Sequence, residues 1–165
     1  MNRRKLYVDT GILVAIYYEG DKYNKNALNF FQKIMKLKNT DIVCSNFCIT
    51  EFAQVCVKKD IFSESETYKI SNALLTTLKI DRLYPFKMID AKGKNVNYKF
   101  EEFFLDIQSI ILETKPRPHL ADVIHSVIMR NNKIKTIVTY NVNDFKGIMG
   151  IKAYTPDYTL SKFSA

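Results

Sequence analysis

Glycine and proline are scarce in this chain, five and four among 165 residues, and tryptophan is absent. So few turn-formers leave little room for long flexible loops. The 47% hydrophobic content, with eleven Phe and ten Tyr, excludes a disordered chain. Long apolar runs are also missing, and nothing approaches the ~20 residues needed to span a bilayer. The basic start Met1-Asn2-Arg3-Arg4-Lys5 leads into Leu6-Tyr7-Val8, but Asp9 ends that run and Glu19 and Asp21 follow. That pattern is not a secretory hydrophobic segment, and a cytoplasmic protein is expected. Cys44, Cys48 and Cys56 are odd in number, lack a CxxC pairing and have no nearby histidine to complete a zinc site. They are expected to be buried structural thiols. Acidic residues are the minority, 17 against 25 Lys and Arg, for a net charge of +8. Such a balance favours a polyanionic partner. Nucleic acid is preferred over a membrane surface, because no basic amphipathic segment is present.

What is present is an alternation of short β-rich runs and helical patterns. Lys5 to Val8 reads as a strand, Ile12 to Tyr18 as a short apolar helix, and the chain from Asp21 as a longer helix carrying Ala27, Phe30, Phe31 and Ile34 at helical spacing. Ile42 to Cys44 is a second strand, and Ser45 or Asn46 caps the helix Phe47 to Lys58. Ser63 followed by Glu66 has the capping-box spacing and opens a helix running to about Lys79. Tyr84 to Ile89 reads as a third strand despite Pro85, and Asp90 to Asn97 as a flexible loop. Glu101 to Glu113 and His119 to Asn131 are helical, the second with Pro118 at its first position. Lys135 to Thr139 is a fourth strand, Asn143-Asp144-Phe145 a helical turn, and Ile151 to Tyr154 a fifth strand. No repeat, linker or low-complexity tract divides the chain, so one domain over 1–165 is expected. Its class is α/β, in three α/β/α layers around a mainly parallel sheet of about five strands.

In open parallel sheets, ligands bind at the carboxyl ends of the strands. Asp9 follows the first strand directly, Glu51 lies one turn into the helix after the second, and Asp144 follows the fourth, after Thr139 and Asn141. Asp122 lies near the start of the helix that leads into that fourth strand, within the apolar context His119-Leu120-Ala121-Asp122-Val123-Ile124. Each acid alone has an ordinary structural reading: Asp9 and Asp144 as caps, Glu51 as a solvated helix residue. Asp122 resists such a reading, because aspartate is almost never fully buried unpaired. Four carboxylates gathered in one pocket repel one another unless a cation intervenes. Hard oxygen ligands select Mg²⁺ or Mn²⁺, and such a site suits phosphodiester hydrolysis. The basic surface would then hold the rest of a nucleic-acid strand through its phosphates.

Four segments together resemble the PIN-domain family, and within it the VapC-type toxin ribonucleases. They are Leu6-Tyr7-Val8-Asp9-Thr10-Gly11, Ile49-Thr50-Glu51-Phe52, His119 to Ile124, and Thr139-Tyr140-Asn141-Val142-Asn143-Asp144-Phe145 followed by Gly150. Their order and spacing cover nearly the whole chain. The resemblance implies a PIN fold and an endoribonuclease using Mg²⁺ or Mn²⁺ held by Asp9, Glu51, Asp122 and Asp144. It further implies that Thr139 orients a carboxylate or water, that the protein forms a homodimer, and that a small antitoxin blocks the acidic pocket. Asn141 stands where many relatives carry a further Asp, which favours a single ion. Thr10 is expected to line the pocket only through its backbone, His119 to make a helix-start polar contact or touch a substrate phosphate, and His125 to serve core or interface packing. The chain is longer than typical toxin relatives, and the excess falls around Ser63 to Asn97.

Two further readings of the same fold stay open: an RNA-processing or quality-control nuclease without an antitoxin, and a non-catalytic RNA-binding module. Retention of all four acids weighs against the latter. A doubly wound phosphatase would want a second Asp two residues after the first, where this chain has Gly11.

Overall fold

Side-chain alternation along β1 (Arg4–Val8) sets the layering of the molecule. In this computed structural model, which describes residues 3–77 and 81–163, Leu6 and Val8 point into one core and Tyr7 into another. The same two-residue period divides β2 (Thr40–Ser45), with Ile42 and Cys44 on one side and Val43 on the other, and β6 (Thr136–Val138), with Val138 opposite Ile137. A strand buried on both faces needs helices on both faces. Helices α1 (Thr10–Tyr17), α2 (Asn24–Ile34), α3 (Asn46–Lys58) and α4 (Glu64–Thr77) cover the first face through residues such as Ile12, Phe30, Phe52 and Leu74. Helices α5 (Phe100–Glu113) and α6 (Leu120–Asn131) cover the second through Phe103, Ile107, Val127 and Ile128.

The five strands run parallel in the order β3-β2-β1-β6-β7, where β3 is Asp81–Leu83 and β7 is Lys152–Tyr154. Leu6 is paired with Ile42, Tyr7 with Ile137, and Val8 with Val138. The expected three-layer α/β/α fold with a mainly parallel sheet of about five strands is the observed one. Capping follows the sequence as well. Ser45 accepts the Cys48 N–H at 3.1 Å, and Ser63 and Glu66 exchange the two bonds of a capping box. All three cysteines are buried, as expected. No helix among the described residues is long and apolar enough to cross a membrane.

Three expectations need correction, and one helix was not expected. The third sheet strand lies at Asp81–Leu83 rather than Tyr84–Ile89, because Pro85 cannot donate to a strand ladder. Lys87–Ile89 forms a separate strand, β4, paired antiparallel with β5 (Asn95–Asn97) in a hairpin, so the segment read as a loop ends in ordered strand. The Asp90 carboxylate accepts the N–H groups of Lys92 and Lys94, and Gly93 takes a φ of +80° that favours glycine, closing the turn. Helix α6 begins at Leu120 with His119 at the cap, one to two residues later than Pro118 suggests. The unexpected helix is α7 (Pro156–Phe163), which packs on α2; Pro156 at its first helical position is its sequence signal. The end of the α4 pattern at about Lys79 lies outside the described residues.

Candidate active site

The chain builds β1, β2 and β3 outward on one flank, then returns to place β6 on the other side of β1. The crevice of a parallel sheet opens at such a switch point, at the carboxyl ends of the strands. The residues that follow β1 and β6 are Asp9 and Thr139. Asp9 is anchored through its N–H to the Val138 carbonyl at 3.1 Å, and its side chain caps α1 by accepting the Thr10 N–H at 2.7 Å. Its other carboxylate oxygen accepts the Thr139 hydroxyl at 2.7 Å, while the Thr139 oxygen takes the Asn141 N–H at 2.9 Å. Thr139 is completely buried, so the hydroxyl is locked between these two partners and fixes the carboxylate plane.

Glu51 is held from two sides. Its Oε2 accepts the Thr10 hydroxyl at 2.8 Å and lies 2.6 Å from His125 Nε2. The other ring nitrogen, Nδ1, is 2.7 Å from the Tyr7 hydroxyl, which is 2.6 Å from Ser45 Oγ. One proton arrangement satisfies every group: Cys48 N–H donates to Ser45, Ser45 to Tyr7, Tyr7 to Nδ1, and Nε2–H to Glu51. A buried relay thus runs from the cap of α3 through β1 and α6 to the carboxylate. The Phe47 ring meets the imidazole edge-to-face at 5.0 Å. His125 is 1% exposed, and its Nε2 also lies 4.0 Å from Asp9. His125 therefore does more than the packing expected of it, and Thr10 contributes its hydroxyl as well as its backbone. The available signal was the spacing of Asp122 and His125, three residues apart and hence on one face of α6.

Asp122 sits in the first turn of α6 and Asp144 in the 3₁₀ turn Val142–Phe145. Burial pushes the Asp122 carboxyl up to about 6, with the negative charges of Asp144 and Asp9 adding to the rise. Burial also raises Asp9, against the pull of His125, Thr139 and the Thr10 N–H. For Glu51 burial again pushes upward most strongly, but the hydrogen bond from His125, with the Thr10 hydroxyl, brings it below its ordinary range. Asp9 and Glu51 are thus linked through Thr10 and His125, and Asp122 and Asp144 belong to the same electrostatic neighbourhood as Asp9. Asn141 contributes its backbone to Thr139 and its side chain is exposed. His119 is exposed, makes no side-chain cap bond, and acts on Asp122 only as a weak opposing charge.

Among the described residues no three His, Cys, Asp or Glu side chains form a ready-made cation cage. Asp9 uses both oxygens on Thr10 and Thr139, and Glu51 Oε2 serves both Thr10 and His125. The chemistry of the set nonetheless fits a hard divalent cation: four carboxylates, of which Asp122 is raised by two others, are the arrangement an oxygen-preferring ion relieves.

No family model and no curated protein sequence matches the chain. Solved structures do. It is similar to the VapBC2 complex of Rickettsia felis bound to a promoter DNA fragment, at 15% identity and a TM-score of 0.58 over 92% of this chain and 98% of that one. It is similar to VapC20 of Mycobacterium tuberculosis, a sarcin–ricin-loop-cleaving toxin, at 15% identity and 0.56 over 96% and 95%. It is also similar to VapBC-1 of nontypeable Haemophilus influenzae, at 15% identity and 0.59 over 93% and 98%. The chain has the PIN-like fold that these VapC toxin structures share.

Proposed function

We propose that this protein is an endoribonuclease that hydrolyses RNA phosphodiester bonds with Mg²⁺ or Mn²⁺, as the toxin of a toxin–antitoxin pair. What supports the reading is that Asp9 and Glu51 share Thr10 and His125 beside the carboxyl ends of β1 and β2, and that Asp122, pushed up to about 6 by burial, also feels the charges of Asp144 and Asp9. Asp9, Glu51, Asp122 and Asp144 would hold the ion, which supplies Lewis acidity and charge neutralisation at the scissile phosphate. The chain's own residues supply preorganisation. Thr139 fixes one oxygen of Asp9, and Thr10 and His125 fix one oxygen of Glu51, so the carboxylates need not reorganise when a substrate arrives. Neither histidine is needed as a general base.

The similarity to VapBC complexes and to a sarcin–ricin-loop-cleaving toxin supports RNA as substrate and a small protein antitoxin as partner. Exposed Phe104, Leu105 and Leu112 on α5, with Leu120 on α6, support a covered face in a homodimer or antitoxin complex. The test is cleavage of single-stranded RNA by the whole protein in Mn²⁺ and in EDTA. Cleavage that needs the ion and disappears in Asp9→Asn is expected; equal cleavage in EDTA would overturn the reading.

A further inference from the structure

The amino ends of the parallel strands, opposite the acidic site, form a cleft of about 700 Å³ with an unusual lining. Arg4, Lys5, Lys133, Lys135, Lys152 and Lys162 all face it, and among the described residues no acidic side chain lines it. A seventh cation, Arg3, also lines the cleft, but Asp41 already pairs with it at 3.1 Å. The positions follow from topology. Arg4 and Lys5 begin β1, Lys135 precedes β6, and Lys152 begins β7, with the Lys152 N–H bound to the Lys135 carbonyl at 2.7 Å. These are three adjacent strands, so the row of cations extends about 10 Å across the sheet edge, enough for more than one phosphate. Two of the cations are positioned by aromatic rings in place of carboxylates. The Arg4 guanidinium lies 4.2 Å from the Phe163 ring centre, and Lys162 lies 4.4 Å from that of Tyr154, whose hydroxyl is 2.8 Å from its ammonium. A neutral ring holds a cation in place without neutralising it. Those charges remain available to an anion.

We propose that this cleft is an accessory anchoring site for the phosphate backbone of single-stranded RNA, separate from the acidic site where the strand is cut. The assignment rests on the nuclease reading for its choice of polyanion. The two edges are separated by the length of β1, about 17 Å for its five residues. A strand long enough to reach both is then held more tightly than a short one. Like-charged phosphates are repelled by the acids at the cutting edge and attracted at this one, so the second edge supplies affinity that the first lacks.

The test uses the whole protein, with a fluorescent uridine homopolymer as probe and EDTA present to silence scission. Lys135→Glu/Lys152→Glu and its milder counterpart Lys135→Gln/Lys152→Gln are compared with the unaltered protein, with thermal melting as a check on folding. Loss of two phosphate contacts lowers the slope of log affinity against log salt by about 1.4 and weakens low-salt binding about tenfold. Cleavage of a short oligonucleotide in Mn²⁺ stays unchanged. Unaltered affinity and slope in both double variants would overturn the anchoring site, whether or not the protein cuts RNA. Absence of cleavage in every protein, with binding still lost in the double variants, would sink the nuclease reading while supporting the cleft. Uridine monophosphate binding as tightly as the homopolymer would make this a small-ligand pocket and overturn the strand assignment. Lost binding to phosphatidylserine vesicles with RNA affinity intact would reassign the cleft to a membrane surface and overturn it too.

Discussion

Replacing Asp122 by Asn makes the folded protein more stable at neutral pH when divalent ions are absent. The Asp122 carboxyl is raised from an ordinary 3.8 to about 6, so the folded state holds this proton more tightly than the unfolded chain does. Its favourable contribution is therefore complete below about pH 4 and is lost as pH rises through about 6. A rise of about two units corresponds to roughly 3 kcal/mol. The side chain is only partly buried, and solvent screening reduces that to about 1 kcal/mol. The amino end of α6 favours a carboxylate and takes back about 0.3 kcal/mol. The net gain of Asn at pH 7 is then about 0.7 kcal/mol, or roughly 2 °C in Tm for a chain of this size. The assay is thermal melting of both proteins in EDTA from pH 4 to pH 8. The variant should gain with pH and converge on the parent near pH 4. Added Mn²⁺ should reverse the order, raising the parent by mass action and leaving the variant behind. An Asn variant less stable than its parent at pH 7 in EDTA, or an advantage independent of pH, would refute the reasoning.

His125→Ala leaves the Tyr7 hydroxyl and Glu51 without their shared partner and opens a cavity; a loss of about 2–4 kcal/mol in chemical denaturation is expected. Because His125 acts through Glu51, kcat should fall and the Mn²⁺ requirement rise with KM for RNA little changed, and His125→Gln should partly restore both. A KM effect alone would contradict this role. Thr139→Val keeps the shape but removes the hydroxyl shared by Asp9 and the Asn141 N–H, at a cost of about 1–3 kcal/mol, whereas Thr139→Ser keeps both bonds. Equal melting and equal metal titrations of the two variants would argue against a fixed Asp9.

The sheet is legible because β1 and β2 carry near-continuous apolar runs, and the strand-end rule then puts Asp9 directly after β1, where it stands. Short-range chemistry was legible too: Ser45 and Ser63 cap where their spacing says. What the sequence hid was long-range pairing. Tyr7 and His125 are 118 positions apart, and nothing local distinguishes a histidine bonded to a distant tyrosine from one packed in a core. Thr10 reaches Glu51 across 41 positions, so a residue that reads as backbone lining turns out to hold a carboxylate. The basic cleft is hidden in the sequence for a related reason. Its cations come from β1, the approach to β6, β7 and α7, and only the parallel register of the strands brings them to one edge. Between Tyr84 and Asn97, Pro85 and the Asp90 to Gly93 turn divide a β-rich stretch into the exit from β3 and a hairpin.

The most direct measurement is Mn²⁺-dependent cleavage of single-stranded RNA by the parent and by an Asp9→Asn/Asp122→Asn double variant that still melts cooperatively. Cleavage at defined sites by the parent, abolished by EDTA and absent from the double variant, is the expected result. Undiminished cleavage by the folded double variant would contradict the claim that these acids form the reactive centre.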